Sequence, residues 1–218
     1  MSRPMIHNFT QGPILRQLLL FSFPLMGANL MQMLYNMIDM VVIGQFVGKI
    51  GLSAVSIGGE VMNLATFIAL GFSTAGQVIL SQFIGAGRQE RIRETIQTMF
   101  VVLLSAAILL SGIGLLSIRH ILAAINTPAE AMGSALAYTR ICMSGLLFIY
   151  GYNLVGAVLR GLGDSKHPFL FICIASLTNL VLDLVFVAVF KLGVAGAALA
   201  TVIGQGVSFL CSLLLLYR

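Results

Sequence analysis

Charge is what this sequence has least of. Asp, Glu, Lys and Arg together supply 9% of its 218 residues, where an ordinary soluble domain carries roughly a quarter. That shortage, with 59% hydrophobic residues and a mean hydropathy of +1.03, excludes a soluble globular domain and predicts an all-α, polytopic membrane protein. Cysteine is scarce as well. Cys142, Cys173 and Cys211 stand far apart in apolar runs, with no CxxC and no metal-ligand spacing, so they read as buried thiols and argue against a redox or metal role. His7, His120 and His167 fall in polar connections and form no HExxH, which leaves no catalytic or zinc arrangement among neighbours in sequence. Gly85-Ala86-Gly87 and Gly161-Leu162-Gly163 lack a preceding strand and a GK[ST] ending, so they read as turns and no ATP site is visible. No enzyme activity and no organic cofactor is expected, and any transport would draw on an ion gradient or a partner.

What is present is a series of six apolar runs, each close to or above the roughly 20 residues that cross a bilayer. They cover Ile14–Ile43, Leu52–Ile84, Thr95–Ser117, Ala129–Leu159, Phe169–Phe190 and Val194–Leu216. Pro13, Pro128 and Pro168 stand at helix starts, where a missing N–H is harmless. Pro24 alone is internal, and it is expected to bend the first helix. The segment 1–13 is polar and unlike a secretion leader, so it reads as a tail that stays attached.

The net charge of +5 does not point to nucleic acid here, because the basic residues cluster in the short connections. Arg3, Arg16, Arg88, Arg91, Arg93, Arg160, Lys166 and Arg218 lie on one side of the spans. Lys49, Arg119, Arg140 and Lys191 lie on the other. Eight against four places both termini in the cytoplasm of a cell membrane protein.

Polar residues inside the runs are few and patterned. Asn29, Gln32, Asn36 and Asp39 are spaced three, four and three apart, which predicts one polar stripe on the first helix. Ser176, Asn179 and Asp183 form a second stripe on the fifth run. Asp39 is ten residues before Lys49, Asp183 eight before Lys191, and Thr201 ten after Lys191. At about 1.5 Å per residue, all three sit roughly 10–15 Å below the outer boundary. A carboxylate costs several kcal/mol in hydrocarbon, and two at one depth read as an ion- or proton-coupling site, with a structural hydrogen bond between helices as the alternative. The donors Asp39, Asn179, Asp183 and Thr201 all present oxygen, which suits a hard cation as well as a proton, so H+ and Na+ both remain open. Glu60 is a third intramembrane acid, with Asn63 as its one polar neighbour. Asn63, Thr66, Ser73, Gln77 and Ser81 make a looser stripe that lines a cleft or packs between helices. Gly196, Ala200, Gly204 and Ser208 repeat every four residues, a seam for close helix approach.

The stretches LYNMIDMVVIGQFVG, SAVSIGGEVMNL, SQFIGAGRQERIR, YNLVGAVLRGLGDSKHP, TNLVLDLVFV and GVAGAALATVIGQGVS together resemble the multidrug and toxic compound extrusion family of cation-coupled efflux transporters. The resemblance runs from about Ile14 to Leu216. It implies a twelve-helix transporter of two six-helix lobes around a central cleft, exporting organic cations and other amphipathic compounds in exchange for H+ or Na+. In its terms Asp39 is the first-helix acid of coupling, and Asn179, Asp183 and Thr201 are the other cation ligands of the N-terminal lobe. Tyr138 and Asn153 match polar cavity positions, which Gln32, Tyr35 and Asn36 join, and Pro24 matches a proline of helix bending. Glu60 departs from the family pattern, which has an apolar residue or Pro there. Residues 14–218 then make one lobe. A second six-helix lobe, or a second copy of this chain, is expected to complete the cleft within the lipid bilayer, and a partial chain is the expectation for this length. The alternatives are a flippase for a lipid-linked sugar, which calls for cationic cleft residues, and a non-transporting membrane subunit.

Overall fold

The computed structural model describes residues 13–217. The tail read over 1–13 lies outside them except for Pro13, which precedes the first helix. The described residues fold as α1 (Ile14–Phe46), α2 (Lys49–Gly85), α3 (Gln89–Ala124), α4 (Ala129–Ser144), α5 (Leu146–Gly161), α6 (Lys166–Asp183) and α7 (Gly193–Tyr217). A π-helical stretch, Leu184–Val189, continues α6 toward α7. Among the described residues there is no strand. Five helical stretches are long and apolar enough to cross a membrane, and α4 with α5 makes a sixth when the pair is counted as one span.

That sixth span corrects the reading of Ala129–Leu159 as one helix. α4 and α5 meet at an angle of 50° at Gly145. The cause is local. Ser144 and Gly145 form a Ser-Gly pair, a known place for a sharp kink, and Ser144 Oγ donates back to the Arg140 carbonyl at 2.9 Å. A side chain on Gly145 would collide with Val202 of α7, 2.5 Å from the position of a Cβ. The break exposes carbonyls that an unbroken helix would occupy, and Ser111 Oγ on α3 donates to one of them, Met143 O, at 2.7 Å.

The helix ends explain the two Gly-x-Gly triplets. Gly87 (φ +69°) and Gly163 (φ +88°) take the left-handed conformation just past α2 and α5. The next N–H reaches back five residues in each case, Arg88 to Phe83 O at 3.0 Å and Asp164 to Leu159 O at 2.9 Å. This is the Schellman arrangement, which satisfies otherwise orphaned carbonyls. Asp164 then caps α6, its Oδ1 accepting from the N–H groups of Lys166 (3.0 Å) and His167 (3.2 Å).

α5 is the central post. It packs against α2, α3 and α7, and Leu154, Val155, Ala157, Val158 and Leu159 are fully buried. Tyr150, also fully buried, donates its hydroxyl proton to the Ala65 carbonyl of α2 at 2.6 Å. Lower on the same pair, Arg160 Nε donates to Gln77 Oε1 at 3.1 Å, so Gln77 ties α2 to α5 and leaves the looser stripe expected along α2. α6 packs against α7 on one side and α1 on the other. α1 is held chiefly by α6 and exposes most of its apolar surface, including Leu30, Met33, Leu34 and Met37. It is an unbroken helix through Pro24, whose missing N–H leaves the Leu20 carbonyl without its intrahelical donor.

The small-residue seam on α7 closes the α6 side of the lobe. A Cβ on Gly204 would lie 3.0 Å from the Ala175 carbonyl oxygen and 3.3 Å from Asn179 Cβ, and one on Gly196 would meet Phe186 at 3.0 Å. Ala200 is fully buried, and Ser208 Oγ donates to the Phe171 carbonyl at 2.8 Å. Gly204→Leu is expected to destabilise the fold by about 1–3 kcal/mol through overpacking, read as a lowered Tm in detergent. An unchanged Tm would show that α6 and α7 do not meet there.

Candidate functional site

Each polar side chain of the site is delivered by one of the contacts just described. α1 seats Asp39 against the C-terminal end of α6, and the α7 seam brings Thr201 beside Asn179. Asp39 and Asp183 are 8% and 1% exposed, and their carboxyl groups lie within hydrogen-bonding reach of each other. Asn179 can be oriented two ways, because its amide ends are nearly equivalent in shape. In one, Nδ2 lies 3.3 Å from Thr201 Oγ1. Turned over, Nδ2 donates to Asp183 Oδ2 at 3.2 Å and Oδ1 accepts from the Thr201 N–H at 3.2 Å, which satisfies both ends. Thr201 Oγ1 in turn donates to the Ala197 carbonyl at 3.0 Å.

The set is not closed. Asp39 Oδ1 and Asp183 Oδ1 are both buried without a hydrogen-bond partner among the described residues. A buried carboxylate oxygen left unpaired is costly, and two facing carboxyl groups repel unless a proton or a cation stands with them. The nearby groups are two carboxylates, an amide oxygen and a hydroxyl. That is chemistry for a proton or for a hard cation such as Na+.

A cavity of about 10 Å³ between α1, α6 and α7 adjoins Asn179 and Thr201. Gln32, Tyr35, Ser176, Asn179, Thr201 and Gln205 supply its polar lining, and Gln32 Nε2 donates to Tyr35 Oη at 3.2 Å. The sequence reading missed Gln205. Its Oε1 is buried without a partner, and its position one helical turn beyond Thr201 on the same face of α7 was the available signal.

Tyr138 belongs with the pair, and its place comes from a glycine. Gly58 on α2 leaves room for the Tyr138 ring and Thr139 Oγ1, which a Cβ would meet at 2.7 and 2.8 Å. Tyr138 is buried, within electrostatic reach of Asp39 and Tyr35 and within hydrogen-bonding reach of Cys142. Cys142 is a neighbour of the site that the sequence reading did not identify.

Asn153 Nδ2 donates to the Ile149 carbonyl of its own helix at 2.8 Å. The predicted stripe on α1 divides. Gln32 and Asp39 turn toward α6, while Asn29 and Asn36 are exposed. Asn36 is rotated by about 60° from Asp39 on an ideal helix, enough to leave the buried face. The π-helical stretch directly after Asp183 was also unforeseen. Such widenings recur at functional sites, and LVFVAV contains no Gly or Pro to announce one.

Comparison with known proteins agrees over the same span. The MatE family model matches residues 24–185. The probable multidrug resistance protein YpnP of Bacillus subtilis (strain 168) is 36% identical over 207 residues, covering 95% of this chain and 46% of that protein. The probable multidrug resistance protein NorM of Thermotoga maritima is 26% identical, covering 88% of this chain and 42% of that protein. A solved outward-facing multidrug resistance MATE family transporter of the MOP superfamily superposes with a TM-score of 0.86 at 26% identity, over 93% of this chain and 45% of its own. The chain therefore spans a little under half the length of these relatives.

If the two carboxylates act as a unit, Asp39→Asn and Asp183→Asn are expected to be non-additive in a double-mutant cycle on Tm, with an interaction of about 0.5–3 kcal/mol. Simple additivity would separate them.

Proposed function

The chain belongs to the MatE family of transporters, and we propose that it forms the N-terminal lobe of a secondary active multidrug efflux protein that exchanges organic cations and other amphipathic compounds for H+ or Na+. The observation that carries this reading is the pair of buried, unpartnered carboxylate oxygens on Asp39 and Asp183. They stand on two helices packed against each other, and α1 meets the rest of the lobe far less than it meets α6.

In this reading the coupling ion neutralises the Asp39/Asp183 pair. Asn179 orients Asp183, Thr201 fixes Asn179, and the cavity lined by Gln32, Tyr35 and Gln205 admits water or the ion to the carboxylates. When the pair is filled, α1 rests against α6. When it is empty, repulsion between two carboxylates favours their separation. The substrate then senses the ion through the position of α1, a coupling between sites that is reciprocal by thermodynamic necessity. Pro24, with one backbone hydrogen bond fewer beneath it, is where α1 bends most readily.

A second lobe, or a second copy of this chain, supplies the opposite wall of the cleft, and the lipid bilayer surrounds both. The excess of Lys and Arg in the loops after α2 and α5 puts both ends of the lobe in the cytoplasm. Acids and amides in place of cations near the cavity speak against a lipid-linked pyrophosphate as the substrate.

In proteoliposomes holding the complete transporter, Asp39→Asn is expected to lower gradient-driven efflux of a lipophilic cation by roughly 5- to 150-fold, the range of typical site-to-site coupling. Imposing a pH gradient and a Na+ gradient separately identifies the ion. Undiminished coupled efflux by the variant would sink the proposal.

A further inference from the structure

Glu60 is the third acid inside a span, and the carboxylate pair does not use it. It lies eleven residues beyond Lys49 in α2, about 16 Å along the helix, and Asp39 lies ten residues before the same lysine. The two acids therefore occupy one layer. Gly58 confirms the register, because it packs on Tyr138, the tyrosine within reach of Asp39. Glu60 is two residues further on, about 200° around the helix from Gly58. It faces away from Tyr138 and is exposed.

A charged carboxylate on that face costs several kcal/mol if it meets lipid, so water or protein lies against it. Its surroundings on α2 are mixed. Ser56 and Asn63 are exposed one turn to either side, and Leu64 and Phe67 follow at 67% and 65% exposure. Glu60, Leu64 and Phe67 stand at i, i+4 and i+7, one face of the helix. Among the described residues no basic side chain pairs with the carboxylate. The ion pairs among the described residues are Arg91 with Glu94 and Asp164 with His167, both at helix ends. The relatives carry more than half of their length beyond what this chain matches, so there is protein enough to wall a water-filled path along this face.

We propose that Glu60 is a recognition carboxylate for organic cations, separate from the Asp39/Asp183 pair and on the opposite side of α2. The cationic centre of the substrate rests on the carboxylate and its apolar body on Leu64 and Phe67. This rests on the efflux reading and adds to it a division of labour. The pair inside the lobe takes the coupling ion, and Glu60 on its surface takes the charge of the cargo, so the two are not rivals for one carboxylate.

The test is equilibrium binding of tetraphenylphosphonium to the complete transporter in detergent, with a neutral amphipathic dye of similar size for comparison. Glu60→Gln is expected to raise the Kd for the cation by about tenfold or more. Glu60→Asp should restore most of the affinity, and Glu60→Gln should leave both dye binding and the Tm as they are. In an Asp39→Asn background, Glu60→Gln should still weaken cation binding by a similar factor. Unchanged cation affinity in Glu60→Gln would overturn the assignment. So would equal loss of cation and dye with a lowered Tm, which would give Glu60 to a basic side chain of the remaining protein. Because the measurement needs no gradient, a wild type that binds the cation through Glu60 yet shows no gradient-driven efflux would refute antiport and leave the recognition role standing.

Discussion

The absence of a side chain at Gly204 is the constraint on which the site depends. With hydrogen in place of a Cβ, α7 approaches the backbone of α6 at Ala175 and Asn179, and only at that distance does Thr201 meet the Asn179 amide. Close approach in a membrane draws no strength from excluding water, since lipid tails are as apolar as the helices. It rests on packing and on hydrogen bonds across the contact. Ser208 supplies one such bond to Phe171, and Ala200 fills the seam between them. The polar groups of the site are thus the continuation, toward the N-terminal end of α7, of a contact whose first purpose is to hold two helices together.

Elsewhere the lobe satisfies its polar groups with care. Tyr150 finds Ala65, Arg160 finds Gln77 and Ser111 finds Met143, and each α-helix that ends in a Gly-x-Gly turn returns its carbonyls to the chain. Against that background the unpartnered oxygens of Asp39, Asp183, Gln205 and, on α2, Ser73 stand out, and Gln205 shares its cavity with Asn179 and Thr201. Natural proteins break local rules of this kind at functional sites and recover the stability elsewhere. Here the recovery lies in α5, whose buried residues join α2, α3 and α7 into one body.

Much of this was written in the residues. Charge at the ends of apolar runs located the spans, and counting inward from Lys49 and Lys191 put Asp39, Asp183 and Thr201 in one layer, which their proximity bears out. Counting along a helix measures depth but not direction, and it could not show that Asn36 turns to the exposed face of α1. Sixty degrees of rotation separates a cavity from a surface, and the sequence pattern of α1 is too uniformly apolar to fix its rotation. The break at Gly145 was legible in the Ser144-Gly145 pair, but proline had seemed the stronger signal. Tyr138 and Cys142 could be placed only once Gly58 was seen to admit the tyrosine ring, a contact between helices 80 residues apart. The π-helical stretch after Asp183 has no compositional mark at all.

α1 can finally be regarded as a beam on two supports. One is apolar and permanent, where a Cβ on Gly27 would come within 3.1 Å of the Phe169 ring and Ala28 is buried. The other, about 18 Å away along the helix, is the meeting of Asp39 with Asp183, the groups that change charge in the proposed exchange. Releasing the second support leaves the first as a fulcrum. Pro24 lies three residues from it, so the portion of the beam that overhangs the fulcrum begins where the helix is least stiff. Motion at the carboxylates is then transmitted past Phe169 as rotation, reversed in direction, to the end of α1 that carries Arg16.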